Sequence, residues 1–187
     1  MTNKIKKKSE TINRGKSNQT VSDEDRMILT TLKTATNVRL RRMFLLSLTT
    51  RRGVVQQKTL PSVAKQDAEL EIMINREASK SLVHIKFSLS LSYGDKHGEA
   101  NAEPALTIEA LYELEYHFVT PITEEEEETY ANSILQIAMT NAWPFWRELV
   151  HSMTSRMGLP GFPLPLLNPS KVAAMPKKIT KNSGTKD

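Results

Sequence analysis

Ser62 and Lys65 stand in an S-x-x-K spacing, the arrangement in which a lysine amine can activate a serine hydroxyl for attack on an acyl group. The Ser-Asp-Asn and Lys-Thr-Gly elements that complete such a site are absent, so the spacing reads as chance. Asp95, His97 and Glu99 offer oxygen and nitrogen ligands to a metal, but no second histidine stands at ligand spacing, and they read as solvation of a polar loop. His84 and His117 fall on the polar face of alternating strands, and His151 lies near the apolar stripe of a helix. None has the companion carboxylate and nucleophile that would make it a general base. The acidic run Glu124 to Glu128 suits the positive end of a helix. No glycine spacing matches a phosphate cradle, and with no cysteine there is neither a disulfide nor a thiolate metal site. The residue chemistry therefore points to a non-enzyme without metal or cofactor.

The elements around these residues are legible from periodicity. Ser22 before Asp23, Glu24 and Asp25 marks a helix start running to about Ala35. Val38, Leu40, Phe44, Leu46 and Leu48 alternate, while Met43 and Leu45 make the second face apolar too, which predicts a first strand buried on both faces. Thr49 to Lys65 has no clean period and reads as a long connection. Ala68, Leu70, Ile72 and Ile74 fall on even positions, and Val83, Ile85, Phe87, Leu89, Leu91 and Tyr93 on odd ones. A turn between Glu77 and Lys80 accounts for the phase change. After a polar loop from Gly94 to Pro104, Leu106 to Phe118 forms the longest alternation. Four strands with one apolar face each make an antiparallel sheet with one side to cover.

The covering elements are few. A helix is expected from about Glu124 to Met139, carrying Tyr130, Ile134, Leu135 and Ile137. A second is expected from Trp143 to Met157, with Asn141 as its cap, Pro144 in its first turn and Gly158 ending it left-handed. Its stripe is Ala142, Phe145, Trp146, Leu149, Val150, Met153 and Met157. Leu159, Phe162, Leu164, Leu166 and Leu167 follow among Pro160, Pro163 and Pro165, a segment that neither continues a helix nor pairs well in a sheet. Two helices on four long strands leave apolar surface over, which predicts a homo-oligomer.

Trp143, Pro144, Phe145, Trp146, Arg147, Glu148, then Ser155, Arg156 and Leu159 to Leu167, set after an alternating sheet, resemble the SecB family of export chaperones and more closely its SecB-like branch. The detailed match covers Ala142 to Pro169. The resemblance implies an α+β fold, a four-stranded antiparallel sheet with helices on one face, assembled as a tetramer by pairing sheets edge to edge. It implies an ATP-independent holdase that binds unfolded or extended preproteins and keeps them competent for export. It also implies handover to a SecA-type motor through acidic surface, for which Glu109, Glu113 and Glu115 are the candidates here. Client or oligomer contacts would come from Trp143, Phe145, Trp146, Leu149, Met153, Met157, Leu159, Phe162, Leu164, Leu166 and Leu167. Trp146 is expected as core or subunit contact, and Leu164 and Leu166 as client surface. Some SecB-like proteins instead protect the antitoxin of a toxin-antitoxin pair. SecB proper ends in a second amphipathic helix, whereas Pro169, Pro176 and few apolar residues predict little helix in this tail.

Charge separates the chain into three parts. The chain carries a net charge of +5. Residues 1–20 hold six cations against Glu10 and residues 169–187 hold five against Asp187, so two basic tails carry the excess. Residues 21–168, the chaperone domain, are net acidic. Both tails are expected to be disordered and dispensable. Without interleaved aromatics they favour no specific nucleic-acid recognition, although non-specific attraction to phosphate backbones through them is the alternative function from another class. The basic segment Met1 to Thr20 lacks the apolar core of a secretory signal, and no stretch reaches membrane-spanning length, so cytoplasmic residence is expected.

Overall fold

The computed structural model describes residues 32–53, 63–92, 104–168, 172, 175 and 177–181. The expected helix start at Ser22, Ser62, the Gly94 to Pro104 loop with Asp95, His97 and Glu99, and residues 1–20 lie outside them, wholly or, for the loop, up to its last residue. Residues 32–37 are helical and lead directly into β1, Val38–Arg52. There follow β2, Val63–Asn75; β3, Lys80–Ser92; β4, Leu106–Phe118; a helix α1, Glu127–Arg156; and β5, Lys177–Lys181. The sheet order is β1-β4-β3-β2-β5. The first four strands are antiparallel neighbours, as the alternation predicts, and β5 adds a fifth strand parallel to β2.

The two helices predicted around Pro144 are one. α1 runs unbroken for 30 residues with Pro144 inside it. Ala131, Ile134, Leu135, Ala138, Met139, Ala142, Trp143, Trp146 and Val150 are buried at helical spacing on both sides of the proline. The missing N–H of Pro144 would have met the carbonyl of Thr140, and both residues are exposed, so water can take that carbonyl. A proline inside a helix costs about 3 kcal/mol, and burial of an uninterrupted apolar stripe across β2, β3 and β4 outweighs it. The predicted left-handed end is present: Gly158 has φ +68°, its N–H donates to Ser155 and that of Leu159 donates to Thr154, closing a Schellman motif.

β1 also departs from its expected place. It is the edge strand next to β4 and most of it is exposed. Its register against β4 shifts between Leu40 and Arg42 and again between Leu45 and Ser47. Each extra residue flips the side-chain phase. The apolar residues on both parities thus record two bulges rather than burial on two faces: Val38, Leu40, Met43, Leu45 and Leu48 all pair with inward residues of β4.

Asn37 ties the entry to β1 to the far end of β4. Its Oδ1 accepts from Thr120 N at 2.7 Å and Thr120 Oγ1 at 2.6 Å, and its Nδ2 donates to Thr120 O and to Tyr130 Oη, each at 3.2 Å. An Asn37→Ala variant leaves these groups unsatisfied and is expected to lose about 1–3 kcal/mol in a denaturant titration; an unchanged midpoint would show that water replaces the side chain without penalty.

Candidate functional site: apolar surface on both sides of a long helix

The centre of the molecule is an aromatic cluster. Trp146 lies flat on Phe87 with centroids 5.1 Å apart and an interplanar angle of 7°. Trp143 and Tyr112 meet the same ring edge-on, each at 5.9 Å. Both buried phenols on β4, Tyr112 and Tyr116, are pushed up to about 12 by loss of water, which keeps them neutral inside the core. Trp146 is 0% exposed. It packs as core, and the same holds for nearly buried Trp143.

After the Schellman turn the chain doubles back along α1. Trp143 Nε1 donates to Pro165 O at 3.2 Å, and Gly161 lies against the ring of His151. Leu159 and Leu164 turn into the core, and Phe162 and Leu167 pack partly against it. The tail therefore splits the pair of leucines expected to face clients together. Leu164 is 4% exposed and Leu166 is 79% exposed. Two residues apart, they would share one side of a straight extended strand, so the backbone turns between them at Pro165, burying Leu164 and leaving Leu166 in water. Along this seam Leu149, Met153 and Met157 are half-buried and Phe145 is 55% exposed. A slot of about 370 Å³ opens between Pro144, Arg147, Glu148 and His151 on the helix and Phe162 to Leu164 on the tail.

The acidic candidates on the opposite face of the sheet are mostly engaged. Glu115 is covered by Arg42, which binds its Oε2, and by His117, 2.9 Å from Oε1. The hydrogen bond with His117, then the Arg42 guanidinium, hold its carboxyl below the usual 4.5. Glu113 lies 3.0 Å from His84 Nε2. Glu109 stays exposed, 4.0 Å from Lys86. These three do not form one open acidic surface. Among the described residues no group of His, Asp or Glu side chains could hold a metal ion, and no helix is long and apolar enough to cross a membrane.

A further exposed apolar surface was not among the site residues singled out from the sequence. Leu40, Phe44, Leu45, Leu46 and Leu48 on β1 are 38% to 50% exposed: Leu40, Leu45 and Leu48 lie on the helix side, where α1 packs over the other antiparallel strands and leaves the edge strand uncovered, whereas Phe44 pairs with Glu113 on the opposite face and Leu46 stands at the second bulge. The signal was available in part: a strand apolar at both parities has more hydrophobic side chains than one covered face can absorb.

With this geometry in hand, one solved structure decides the architecture. The SecB-like chaperone Rv1957 of Mycobacterium tuberculosis, in complex with a ChAD peptide from the Rv1956 HigA1 antitoxin, superposes with a TM-score of 0.59 over 79% of this chain and 99% of that one, at 18% identity. This chain has a SecB-like fold. A protein of unknown function from Streptococcus agalactiae is similar more loosely, at 13% identity over 69% of this chain and 97% of that one, with a TM-score of 0.40. No family model matches the sequence, and no curated protein does. At 18% identity, what this chain shares with that Mycobacterium tuberculosis neighbour is backbone architecture, kept while most side chains differ.

Proposed function

We propose that this SecB-like chain is an ATP-independent holdase chaperone, which captures extended, non-native polypeptide on apolar surface and prevents its aggregation. The observation that carries the reading is the exposed apolar side chains of β1, Leu40, Leu45 and Leu48 on the helix side with Phe44 and Leu46 beyond it, on a strand whose outer edge is unpaired among the described residues. Several large apolar side chains left exposed on one strand mark an interaction site in a folded protein. Capture needs no specific chemistry. Each Å² of apolar surface withdrawn from water contributes roughly 25 cal/mol, and several shallow subsites give affinity without a sequence requirement. Half-buried Met153 and Met157 beside exposed Phe145 and Leu166 supply a second, adaptable strip.

The same surface serves self-association. The reading includes a homo-oligomer, a tetramer in the SecB manner, in which part of the β1 row is covered by a second copy and the remainder meets clients. A dedicated chaperone of a toxin-antitoxin pair is the second reading, favoured by the antitoxin peptide that the Mycobacterium tuberculosis neighbour holds. Handover to a SecA-type motor has weaker support, since Glu113 and Glu115 are occupied by His84, His117 and Arg42.

The test is suppression of aggregation. The purified chain, without nucleotide, is expected to keep a chemically denatured, unrelated protein from scattering light on dilution at about one oligomer per client. Protection of one antitoxin but of no unrelated protein would select the second reading. No protection of either, with salt-sensitive binding to nucleic acid through residues 1–20 and 169–187, would replace both.

A further inference from the structure

The edge of β2 is closed over only part of its length. β5 pairs in parallel with Leu70 to Ile74, and over Val63 to Glu69 no strand pairs on that side among the described residues. β5 itself is lightly held. Ile179 packs half-buried against the core on the helix side. On the other side Lys178 Nζ lies 2.8 Å from Glu71 Oε1, and Thr180 Oγ1 donates to the same oxygen at 3.2 Å. Lys177 Nζ reaches Asn132 Oδ1 at 3.4 Å. Lys178 is 75% exposed, and ion pairs so open to water contribute little. The strand is also short and parallel, the weaker form of pairing.

The unpaired stretch continues the chemistry that holds β5. Asp67, Glu69 and Glu71 stand at alternate positions of β2, facing away from the helix. A cavity of about 500 Å³ opens where β5 begins, lined by Glu69, Glu71, His84, Lys86, Lys177 and Lys178. Three carboxylates in a row along an edge suit an extended segment with a cation at every second residue. The chain's own Lys178 and Thr180 satisfy only the last of the three.

We propose that the β2 edge is the acceptor for an extended partner segment in which basic residues alternate with β-branched ones, and that β5 is a resident competitor which this segment displaces. The inference rests on the chaperone reading and deepens it by naming where a client backbone adds and what sequence it favours. A segment long enough to span β2 pairs with Val63 to Ile74, and its cations reach Asp67 and Glu69 as well as Glu71. β5 has the advantage of being tethered, but it uses neither the stretch of ladder left unpaired among the described residues nor the two further carboxylates. Short or acidic segments lose to it. In the absence of a client, β5 covers an edge that would otherwise pair with other chains.

The experiment uses the full chain and a fluorescein-labelled 13-residue peptide of alternating Lys and Ile or Thr. Hydrogen exchange over Lys177–Lys181, where alternate amides face β2, reports whether β5 is docked, and fluorescence anisotropy reports peptide affinity. Lys178→Glu sets a like charge against Glu71, and Ile179→Gly loosens the strand without changing charge. Both are expected to lose protection and to bind the peptide roughly tenfold more tightly, as when a competitor occupying about nine-tenths of a site is removed. The double variant Glu71→Lys, Lys178→Glu restores the pair with its charges exchanged. It should regain protection and bind the basic peptide more weakly than the native chain. Rapid exchange at every amide of Lys177–Lys181 in the native chain would overturn the proposal. So would protection retained in both single variants, release without tighter binding, or peptide binding as tight in the double variant as in the singles. If aggregation suppression is intact while any of these holds, only the acceptor edge is refuted. If suppression is absent from every form, the chaperone reading itself falls.

Discussion

A Trp146→Ala variant will lose about 3–5 kcal/mol of folding stability, the largest effect expected of any single substitution in the helix. The indole is 0% exposed and stacked on Phe87, with Trp143 edge-on to the same ring. It lies where α1 crosses the centre of the sheet, so the cavity left behind is walled by strand side chains that are themselves fully buried and cannot collapse into it. A domain of this size has about 5–15 kcal/mol of stability in all, and the variant will unfold at a much lower denaturant concentration, measured by far-UV circular dichroism. Trp146→Phe will be milder. It keeps the stacked ring and removes an indole N–H that meets no acceptor among the described residues. If Trp146→Ala kept its midpoint while peptide binding collapsed, the residue would belong to a client groove and the packing account would be wrong.

Leu45→Asp will have the opposite signature. Leu45 is 45% exposed on a strand that the helix does not cover, so its loss will change the stability of the isolated fold by only about 0.5 kcal/mol, as for surface substitutions. Assembly will respond strongly. In a two-fold interface each substitution enters twice, and two carboxylates buried without partners at about 2 kcal/mol each raise the dissociation constant roughly a thousandfold. Light scattering at micromolar concentration should then move from an oligomer toward the 21.1 kDa chain, and aggregation suppression should fall with it. An oligomer unaffected by Leu45→Asp would mean that β1 meets solvent in the assembled protein. A native chain that is itself a 21.1 kDa monomer would end the assembly reading.

How much of this was legible beforehand depends on the range of the forces concerned. The alternation of Val83 to Leu91 and of Leu106 to Phe118 reports which side chains can share a buried face, a property of each strand alone, and β2, β3 and β4 follow it. Gly158 ends its helix where its lack of a Cβ permits a positive φ. The cluster Trp143 to Glu148 with the proline-rich tail was enough to suggest a SecB-like architecture. Pro144 misled because its local penalty is smaller than the burial on either side of it. The bulges at Arg41 and Leu46 misled because a phase change in one strand looks the same as two apolar faces until its partner's register is known.

The candidate site was less legible still. That Leu164 is buried and Leu166 faces water depends on how the proline-rich tail turns against α1, and whether the β1 leucines are covered depends on where the helix crosses the sheet. Lys177 to Lys181 belongs to a segment read as a basic tail without structure, because five residues with a single aliphatic side chain have no period to recognise. They form a strand only because the β2 edge and Glu71 wait for them at the far side of the fold. The sequence by itself thus determined the faces of the strands and the stripe of the helix, since these follow from spacing along one element. Only the tertiary structure decided the edges, the tail and the uncovered row on β1, since these follow from contacts between residues far apart in the chain.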